Sequence, residues 1–454
     1  MTIVQAAVET PSTARGAIGR CRGCASILPL RWPAENETPE DWVCANCGER
    51  YRGIRIQNLP REYAKNARLA TAVASKPVGS HVDVEVEAFL NPVRAHEGHA
   101  HPITIAFPDR PKIVCDLENS FSRDLDSHLS LTGALELPSQ QSPFAAELRD
   151  VRNRPYDATW IQRSIEQVLQ SADDVKNQFA AVTEGRRADF EVFRTIAREQ
   201  LRQIVEDKDV FACLGIQPHL GDYPSRHALQ VSMLAMSMGV AMGWDVVSLL
   251  DLGTGCLVHD AGMMSVDSSQ YGKKGILSAH DLGEIAKHVV LGLGTFEHRM
   301  GDVPERALIV AYQMHERSNG TGYPRGYSLE RIHPLARVAA IADVFVALVS
   351  PRPHRPGMVP YHAIKKVMQD TEHGLFDKQA FRALLDTVSV FPIGSFVALN
   401  DGRVGRVLRP NPGRYDRPVV EVWRRGNVGE RPAIVNLSEQ ADVAIASSMA
   451  CLEG

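Results

Sequence analysis

The chain of 454 residues is too long for a single hydrophobic core, so two to four domains are expected. Hydrophobic residues make up 44% and charged residues 23%, as in ordinary soluble globular proteins. The net charge of -4 lacks the basic excess that a dedicated nucleic-acid binder carries, so we expect no nucleic-acid partner.

The N-terminal sequence has no basic region followed by an apolar run, so it does not resemble a secretory signal. The longest apolar stretch, residues 231–244, is too short to span a bilayer and predicts a buried core helix. We therefore expect a cytoplasmic protein without membrane spans.

Four cysteines near the N-terminus form two CxxC pairs separated by nineteen residues. Cys21 and Cys24 make up the first pair, and Cys44 and Cys47 the second. Two such pairs brought together offer four thiolates in the tetrahedral arrangement of structural zinc. Disulfides or free thiols are the disfavoured alternative in a reducing cytoplasm. The spacing predicts a zinc-ribbon-like module over residues 15–55, holding one zinc that does no chemistry.

Residues 56–154 form a variable region to which we assign no role. Residues 155–210 predict a pair of helices separated near Gly185, because their apolar residues recur at helical spacing. We favour a packing face against the next domain, and keep a dimerising or signal-relaying pair as the alternative. The apolar positions are Ile161, Ile165, Val168, Leu169, Phe190, Phe193, Ile196, Leu201 and Ile204.

The sequence continues as helices over residues 211–390 with few strand-like runs. After Phe391, apolar and polar residues alternate around the turn sequences NDG and NPG. This change predicts a small antiparallel β-module over residues 391–446.

Histidines and aspartates recur through the helical region at intervals of one helix and a loop. Steps of 32, 29, 27 and 28 residues separate successive members of this series. One ligand-type side chain per helix is what a metal site in a bundle core needs. A single histidine would more often be an ordinary core or surface residue. The series consists of His227, His259 with Asp260, His288, His315 and Asp343.

Asp260 and Asp343 stand among apolar neighbours. A buried carboxylate is costly unless it is paired or bound to metal. Because a carboxylate has two oxygens, it can also bridge two metals. Imidazole and carboxylate together suit iron, manganese, zinc or nickel.

The sequence MHERSNGTGYP, residues 314–324, places a constrained turn directly after His315. Glycines and a proline fix such a bend. It is either an ordinary surface turn or a device that holds His315 while presenting Tyr323 to a ligand.

These residues, together with NGTGYP and SPRPHR, resemble the HD-GYP family of metal-dependent phosphohydrolases. The resemblance covers residues 211–390 and implies a mainly α fold with an HD-type helical bundle. It also implies hydrolysis of cyclic di-GMP, to the linear dinucleotide or to GMP. Two or three metal ions, commonly iron or manganese, are implied as well, and we expect two.

Carried over by position, Asp260 bridges the two metals of the implied site. The ligands of the first metal are His227, His259, Asp260 and Asp343. The ligands of the second are Asp260, His288 and His315. We expect His259 and Asp260 at the catalytic centre, and Tyr323 and Arg352 in contact with the nucleotide or its phosphate.

The sequence departs from the family pattern at Met314, Met263 and Tyr223, which replace a histidine, a lysine and an acid. A thioether is a poor ligand for these metals. We therefore predict a phosphodiesterase of weakened activity. The alternative is a catalytically impaired regulator that binds a nucleotide or a protein, and a third is an HD hydrolase for another nucleotide. Protein partners through the ribbon or the β-module, and a homodimer, are left open.

Overall fold

The computed structural model describes the chain in parts. For residues 16–20, 27–31, 42–44, 50–51 and 67–69 it describes the backbone alone. Both backbone and side chains are described for residues 122–123, 125–126, 138–140, 142–150, 158–216, 224–267, 269, 278–296, 303–350, 357–424 and 432–449. Within these ranges, the side chains of residues 158–159, 279 and 295–296 are not described.

The chain divides into two compact units. The first comprises Met1–Arg110, Lys274–Ile276 and Ala446–Met449. The second comprises Pro111–Lys273, Leu277–Ile445 and Ala450–Gly454.

The first unit contains short antiparallel strands. β1 pairs with β2, and β3 lies between β4 and β5. Of the predicted zinc ligands, Cys44 ends β3 and its side chain is not described, while Cys21, Cys24 and Cys47 lie outside the described residues. The zinc site therefore stays a prediction. The strands are β1 (Gly16–Arg20), β2 (Ile27–Arg31), β3 (Trp42–Cys44), β4 (Arg50–Tyr51) and β5 (Ala67–Leu69).

The described part of the second unit is mainly helical, as the sequence predicts. Its α-helices are α1 (Ala158–Thr183), α2 (Phe190–Gly215), α3 (Ser225–Ala241), α4 (Val246–Val258), α5 (Ala279–Ala286), α6 (His288–Phe296), α7 (Glu305–Gln313), α8 (Pro334–Val349), α9 (Pro360–Glu372) and α10 (Lys378–Val388).

The core is organised around α3, which packs against α2, α4 and α8. Nearly every residue of α3 is buried, because its sequence is apolar or small on all sides. The prediction of a buried core helix over residues 231–244 is thus confirmed for its helical part. Within the described residues, every helix is too short or too polar to cross a bilayer.

The predicted helical pair is α1 and α2, joined through Gly185 at φ 70°. Most of its apolar residues enter the main core, as a packing face requires, but Ile165 and Leu169 are 36% and 42% exposed. The expectation that these two residues belong to the packing face was wrong. Each follows a residue of the packing stripe by one position, which turns it about 100° away around the helix. The stripe itself runs through Ser164, Val168, Ala172, Val175 and Phe179.

The predicted antiparallel β-module is confirmed. Four strands pair in chain order: β6 (Phe396–Leu399), β7 (Val404–Arg409), β8 (Val419–Trp423) and β9 (Ala433–Asn436). The strand β10 (Ile445–Met449) follows them in the chain.

A buried ion cluster ties this module to α2. The guanidinium of Arg409 on β7 donates to the carboxylates of Asp207 at 2.8 Å and Asp209 at 2.9 Å. Asp207 breaks the helical backbone at φ -157°, and its carboxylate accepts the backbone N–H groups of Asp209 and Val210. The cluster thus fixes the kink of α2 and the position of the module together.

Candidate metal centre

Six predicted ligands, from five segments of the second unit, meet inside the helical bundle, and each is at most 7% exposed. His227 lies in the first turn of α3, and Asp343 lies in the middle of α8. The others stand where helices begin or end. His259 and Asp260 directly follow α4, His288 begins α6, and His315 follows α7.

Two glycines bring Asp260 and His288 together. After Asp260 the chain forms a 3-10 turn, Ala261–Ser265, that crosses α6. A Cβ atom on Gly262 would lie 1.9 Å from the carbonyl oxygen of His288 and 2.4 Å from the backbone nitrogen of Gly292. The crossing therefore requires glycine at position 262, and it holds the Asp260 carboxylate 3.4 Å from His288 Nε2.

The first group of candidate ligands contains His227, His259 and Asp343. One ligand atom from each lies within 4.8 Å of the other two. His227 Nε2 is 2.9 Å from one oxygen of Asp343, and His315 Nδ1 is 3.4 Å from the other. Asp343 is thus placed between two histidines that come from different helices.

The second group contains His259, Asp260 and His315, and its ligand atoms also lie within 4.8 Å of one another. Asp260 Oδ1 is 3.4 Å from Nε2 of His259 and 3.4 Å from Nε2 of His288. His259 belongs to both groups, so the two candidate positions are adjacent.

Backbone carbonyls set the direction of two rings. Nδ1 of His259 donates to the carbonyl of Cys256 at 2.7 Å, and Nδ1 of His288 donates to the carbonyl of Ile285 at 2.6 Å. With Nδ1 protonated, the Nε2 lone pair of each neutral ring points into the centre. Metal-binding histidines characteristically make such a hydrogen bond through their other nitrogen.

The electrostatics of the centre favour a cation. Burial opposes ionisation of Asp343 and Asp260, yet the surrounding histidines hold the pKa of Asp343 well below its usual value and that of Asp260 below its own. Burial, with the neighbouring charge of His315, lowers the pKa of His288 to about 4, so this ring is neutral at pH 7. An ionised carboxylate and a neutral imidazole are the forms in which these groups bind metal, and Asp343, Asp260 and His288 are in these forms.

Two buried atoms of the centre make no hydrogen bond to the described residues. These two, Nε2 of His259 and Oδ2 of Asp260, belong to a longer set of such atoms that also includes Nδ1 of His227. Buried polar atoms are normally satisfied, so such orphans need a partner. Nε2 of His288 and Nε2 of His315 also face each other at 3.1 Å. The donor set of nitrogen and oxygen atoms fits a divalent ion of the iron, manganese or zinc type.

The turn after His315 is built around Glu316. This side chain is 2% exposed, and its carboxylate accepts the backbone N–H groups of Arg325 at 2.8 Å and Tyr327 at 3.0 Å. Burial raises its pKa to about 7, against the opposing effect of these N–H groups. We call residues 316–327 the Tyr-Pro loop. The sequence did not indicate that this glutamate holds the loop, because its partners are backbone atoms.

The Tyr-Pro loop carries the predicted ligand contact Tyr323. A Cβ on Gly322 would lie 2.3 Å from the backbone nitrogen of Arg317, so only glycine fits there. The ring of Tyr323 stacks on that of His315, with centroids 4.9 Å apart and planes 13° apart, and meets the edge of His288. Tyr323 therefore covers one side of the metal centre, while Arg352 lies outside the described residues.

Two of the three residues that depart from the family pattern are buried. Met314 is fully buried and belongs to the main apolar cluster. Met263, in the turn after Asp260, is 2% exposed. Tyr223 lies outside the described residues.

Residues 204–380 match the family model for an HD domain. This segment is therefore similar to an HD domain, and we call it the HD domain below. An HD domain implies divalent metal binding, and the two buried groups are its candidate sites. The matched segment contains all six candidate ligands and the Tyr-Pro loop, and it ends before the β-module.

Relatives of the HD domain include enzymes that act on cyclic dinucleotides. A cyclic di-GMP phosphodiesterase of Pseudomonas aeruginosa is 31% identical over 202 residues, which are 44% of this chain and 48% of that protein. PdeB, a cyclic di-GMP phosphodiesterase of Borreliella burgdorferi, is 21% identical over 49% of this chain and 56% of its own length. A 3'3'-cGAMP-specific phosphodiesterase of Vibrio cholerae is 26% identical over 38% of this chain and 36% of its own length. The chain thus spans about half or less of these relatives.

Proposed function

We propose that the HD domain is a metal-dependent phosphodiesterase of the HD-GYP type that hydrolyses a cyclic dinucleotide, with cyclic di-GMP as the first candidate. The observation that carries the proposal is the pair of adjacent, buried ligand groups that share His259. A structural role would satisfy these side chains with hydrogen bonds, whereas Nε2 of His259 and Oδ2 of Asp260 have none among the described residues.

The residues divide into two sets by position. Following the sequence resemblance, we assign His227, His259, Asp260 and Asp343 to one cation and Asp260, His288 and His315 to the other. Asp260 lies 3.4 Å from His259 and His288, and His259 belongs to both ligand groups. Divalent cations bound there would neutralise phosphate charge and lower the pKa of a bound water. We propose iron or manganese, as in the family that the sequence resembles.

The substrate class is supported by the relatives and by Tyr323. This half-buried ring stacks on His315 at the centre, and we propose that it contacts the nucleotide. Aromatic faces bind bases by stacking. We retain Arg352 as a proposed phosphate contact on the strength of the sequence resemblance.

A catalytically impaired regulator is the second candidate, and the buried positions of Met314 and Met263 favour it. Neither residue offers a nitrogen ligand or a cation. The six ligands that remain favour the enzyme, since loss of one supporting group typically costs 10–100-fold rather than all activity. We therefore propose an active phosphodiesterase of reduced rate.

Turnover and binding measured on one metal-loaded sample test the proposal. The protein is loaded with manganese or iron(II), and hydrolysis of cyclic di-GMP and 3'3'-cGAMP is followed by chromatography. We expect linear dinucleotide or mononucleotide from the wild type and none from Asp260→Ala. Asp386→Ala removes a carboxylate on α10 as a matched control and should leave the rate unchanged. Binding without turnover would favour the regulator, and metal-loaded protein that neither binds nor hydrolyses either compound would refute both.

Outside the HD domain, we propose that Cys21, Cys24, Cys44 and Cys47 hold one structural zinc, as their spacing indicates. Protein partners are proposed for the ribbon or the β-module. To test the zinc proposal, the zinc released by a thiol-modifying reagent is measured, and we expect one zinc per chain.

A further inference from the structure

The Tyr-Pro loop is held from two sides. Glu316 binds its backbone from within, while a residue far upstream in the sequence binds its side chains. That residue is Asp126, which precedes Arg325 by 199 positions. It lies in the 56–154 region, to which the sequence assigned no role, and outside residues 204–380, which match the HD domain.

Asp126 accepts hydrogen bonds from three side chains with both of its oxygens. Oδ1 accepts from the hydroxyl of Tyr327 at 2.7 Å and from that of Tyr312 at 3.0 Å. Oδ2 accepts from Nε of Arg325 at 2.6 Å and from the Tyr312 hydroxyl at 2.9 Å. Nε of Arg325 also lies 2.8 Å from the Tyr312 hydroxyl. One carboxylate thus joins two residues of the loop to a residue of α7.

This cluster is largely withdrawn from solvent. The side chains of Asp126 and Arg325 are 20% and 17% exposed. Burial, reinforced by the carboxylate of Asp126, raises the pKa of Tyr312 and Tyr327, so both hydroxyls remain donors across the physiological range. Hydrogen bonds to a charged group are stronger than bonds between neutral groups.

The bound residues stand on both flanks of the site. Arg325 is two positions beyond Tyr323, the ring that stacks on His315. Tyr312 lies on α7, three positions before His315, which follows the end of that helix. A carboxylate that binds both therefore fixes the distance between the loop and the helix that leads to a metal ligand.

We propose that Asp126 is a positioning residue that holds Tyr323 over the metal centre through Arg325, Tyr312 and Tyr327. The expected effect of Asp126 on substrate binding rests on the proposed function. The inference adds that a residue upstream of the HD domain positions the loop that contacts the ligand. The three hydrogen-bond donors to Asp126 described above, Arg325, Tyr312 and Tyr327, are not candidate metal ligands.

Hydrogen–deuterium exchange tests the inference without reference to activity. In Asp126→Asn the carboxylate becomes an amide, which has one acceptor oxygen and adds two donors opposite Arg325 and the tyrosines. We expect amides of the Tyr-Pro loop to exchange about tenfold faster or more, while those of α3 and α8 are unchanged. Asp126→Glu, which restores the charge, should recover part of the protection.

Asp386→Asn is the matched control. Asp386 is 21% exposed, accepts a hydrogen bond from the hydroxyl of Tyr415 at 3.0 Å and lies 3.9 Å from Arg382. Like Asp126, it is therefore a carboxylate beside a tyrosine and an arginine, but it lies away from the loop. Its substitution should leave exchange in the Tyr-Pro loop unchanged. Loop exchange in Asp126→Asn equal to that of the wild type would overturn the inference, whether or not the protein is an enzyme.

Kinetics on the metal-loaded protein supply the second readout. For Asp126→Asn we expect the KM for the cyclic dinucleotide to rise about tenfold, with kcat within a few-fold and metal content unchanged. A purely structural role would instead lower metal content and stability together. A wild type without turnover refutes the proposed function and leaves the exchange measurement to decide this inference. An active wild type whose KM is not altered by Asp126→Asn overturns it.

Discussion

The substitution Gly262→Ala tests whether the crossing of two backbone segments builds the metal centre. The added Cβ would lie 1.9 Å from the carbonyl oxygen of His288, whereas real Cβ atoms essentially never approach within 3.0 Å. The turn and the start of α6 must therefore separate by at least about 1.1 Å, the difference between these distances. Because His288 is the first residue of α6, its ring should move away from Asp260.

The expected loss is one of metal affinity more than of fold. Displacement of a ligand by this amount should weaken binding about 10–100-fold, as changes around metal ligands do. Overpacking of a tight site costs about 1–3 kcal/mol of stability. Manganese titration followed by calorimetry, with thermal unfolding on the same samples, separates the two effects.

Gly253→Ala serves as the control. Its Cβ would meet the sulfur of the buried Met236 at 2.3 Å, so the clash falls on a flexible side chain rather than on the backbone of α6. We expect this variant to bind manganese as the wild type does, at a small cost in stability. If Gly262→Ala binds manganese with wild-type affinity, the crossing of the two segments does not set the geometry of the ligands.

Two further substitutions test the supports around the site. Arg409→Met removes the cation that pairs with the buried Asp207 and leaves Asp209 with its second cation, Lys208, and it should cost about 3–5 kcal/mol in denaturant unfolding; an unchanged midpoint would contradict the role given to this cluster. Glu316→Gln replaces one of the oxygens that accept the N–H groups of Arg325 and Tyr327 with a donor, at a cost of about 1–3 kcal/mol. Exchange of the Tyr-Pro loop should then speed up, and unaltered protection there would refute the assignment of Glu316.

The sequence was sufficient to predict the helical bundle, the six residues that meet in the core of that bundle, and the small β-module. Each candidate ligand lies at a helix end or in an apolar helix, so intervals of one helix and a loop indicated their convergence. Asp343 illustrates the signal well, since a carboxylate within an apolar helix needs a partner.

Other features depend on contacts that no local pattern records. The partners of Glu316 are backbone amides, and those of Asp126 lie about two hundred positions away. The need for glycine at position 262 comes from the passage of a second segment, α6. Ile165 and Leu169 were misplaced because their spacing fits two adjacent faces of α1, and only the position of the core selects one of them.

We propose above that the two buried ligand groups bind two cations. The metal content of His259→Ala is the sharpest test of this proposal, because His259 belongs to both groups. His280→Ala, which removes an exposed histidine of α5, is the matched control. After saturation with manganese and removal of the excess, metal analysis should find two ions per chain in the wild type and the control, and fewer than one in His259→Ala. Equal metal content in all three proteins, or none in the wild type, would contradict the account.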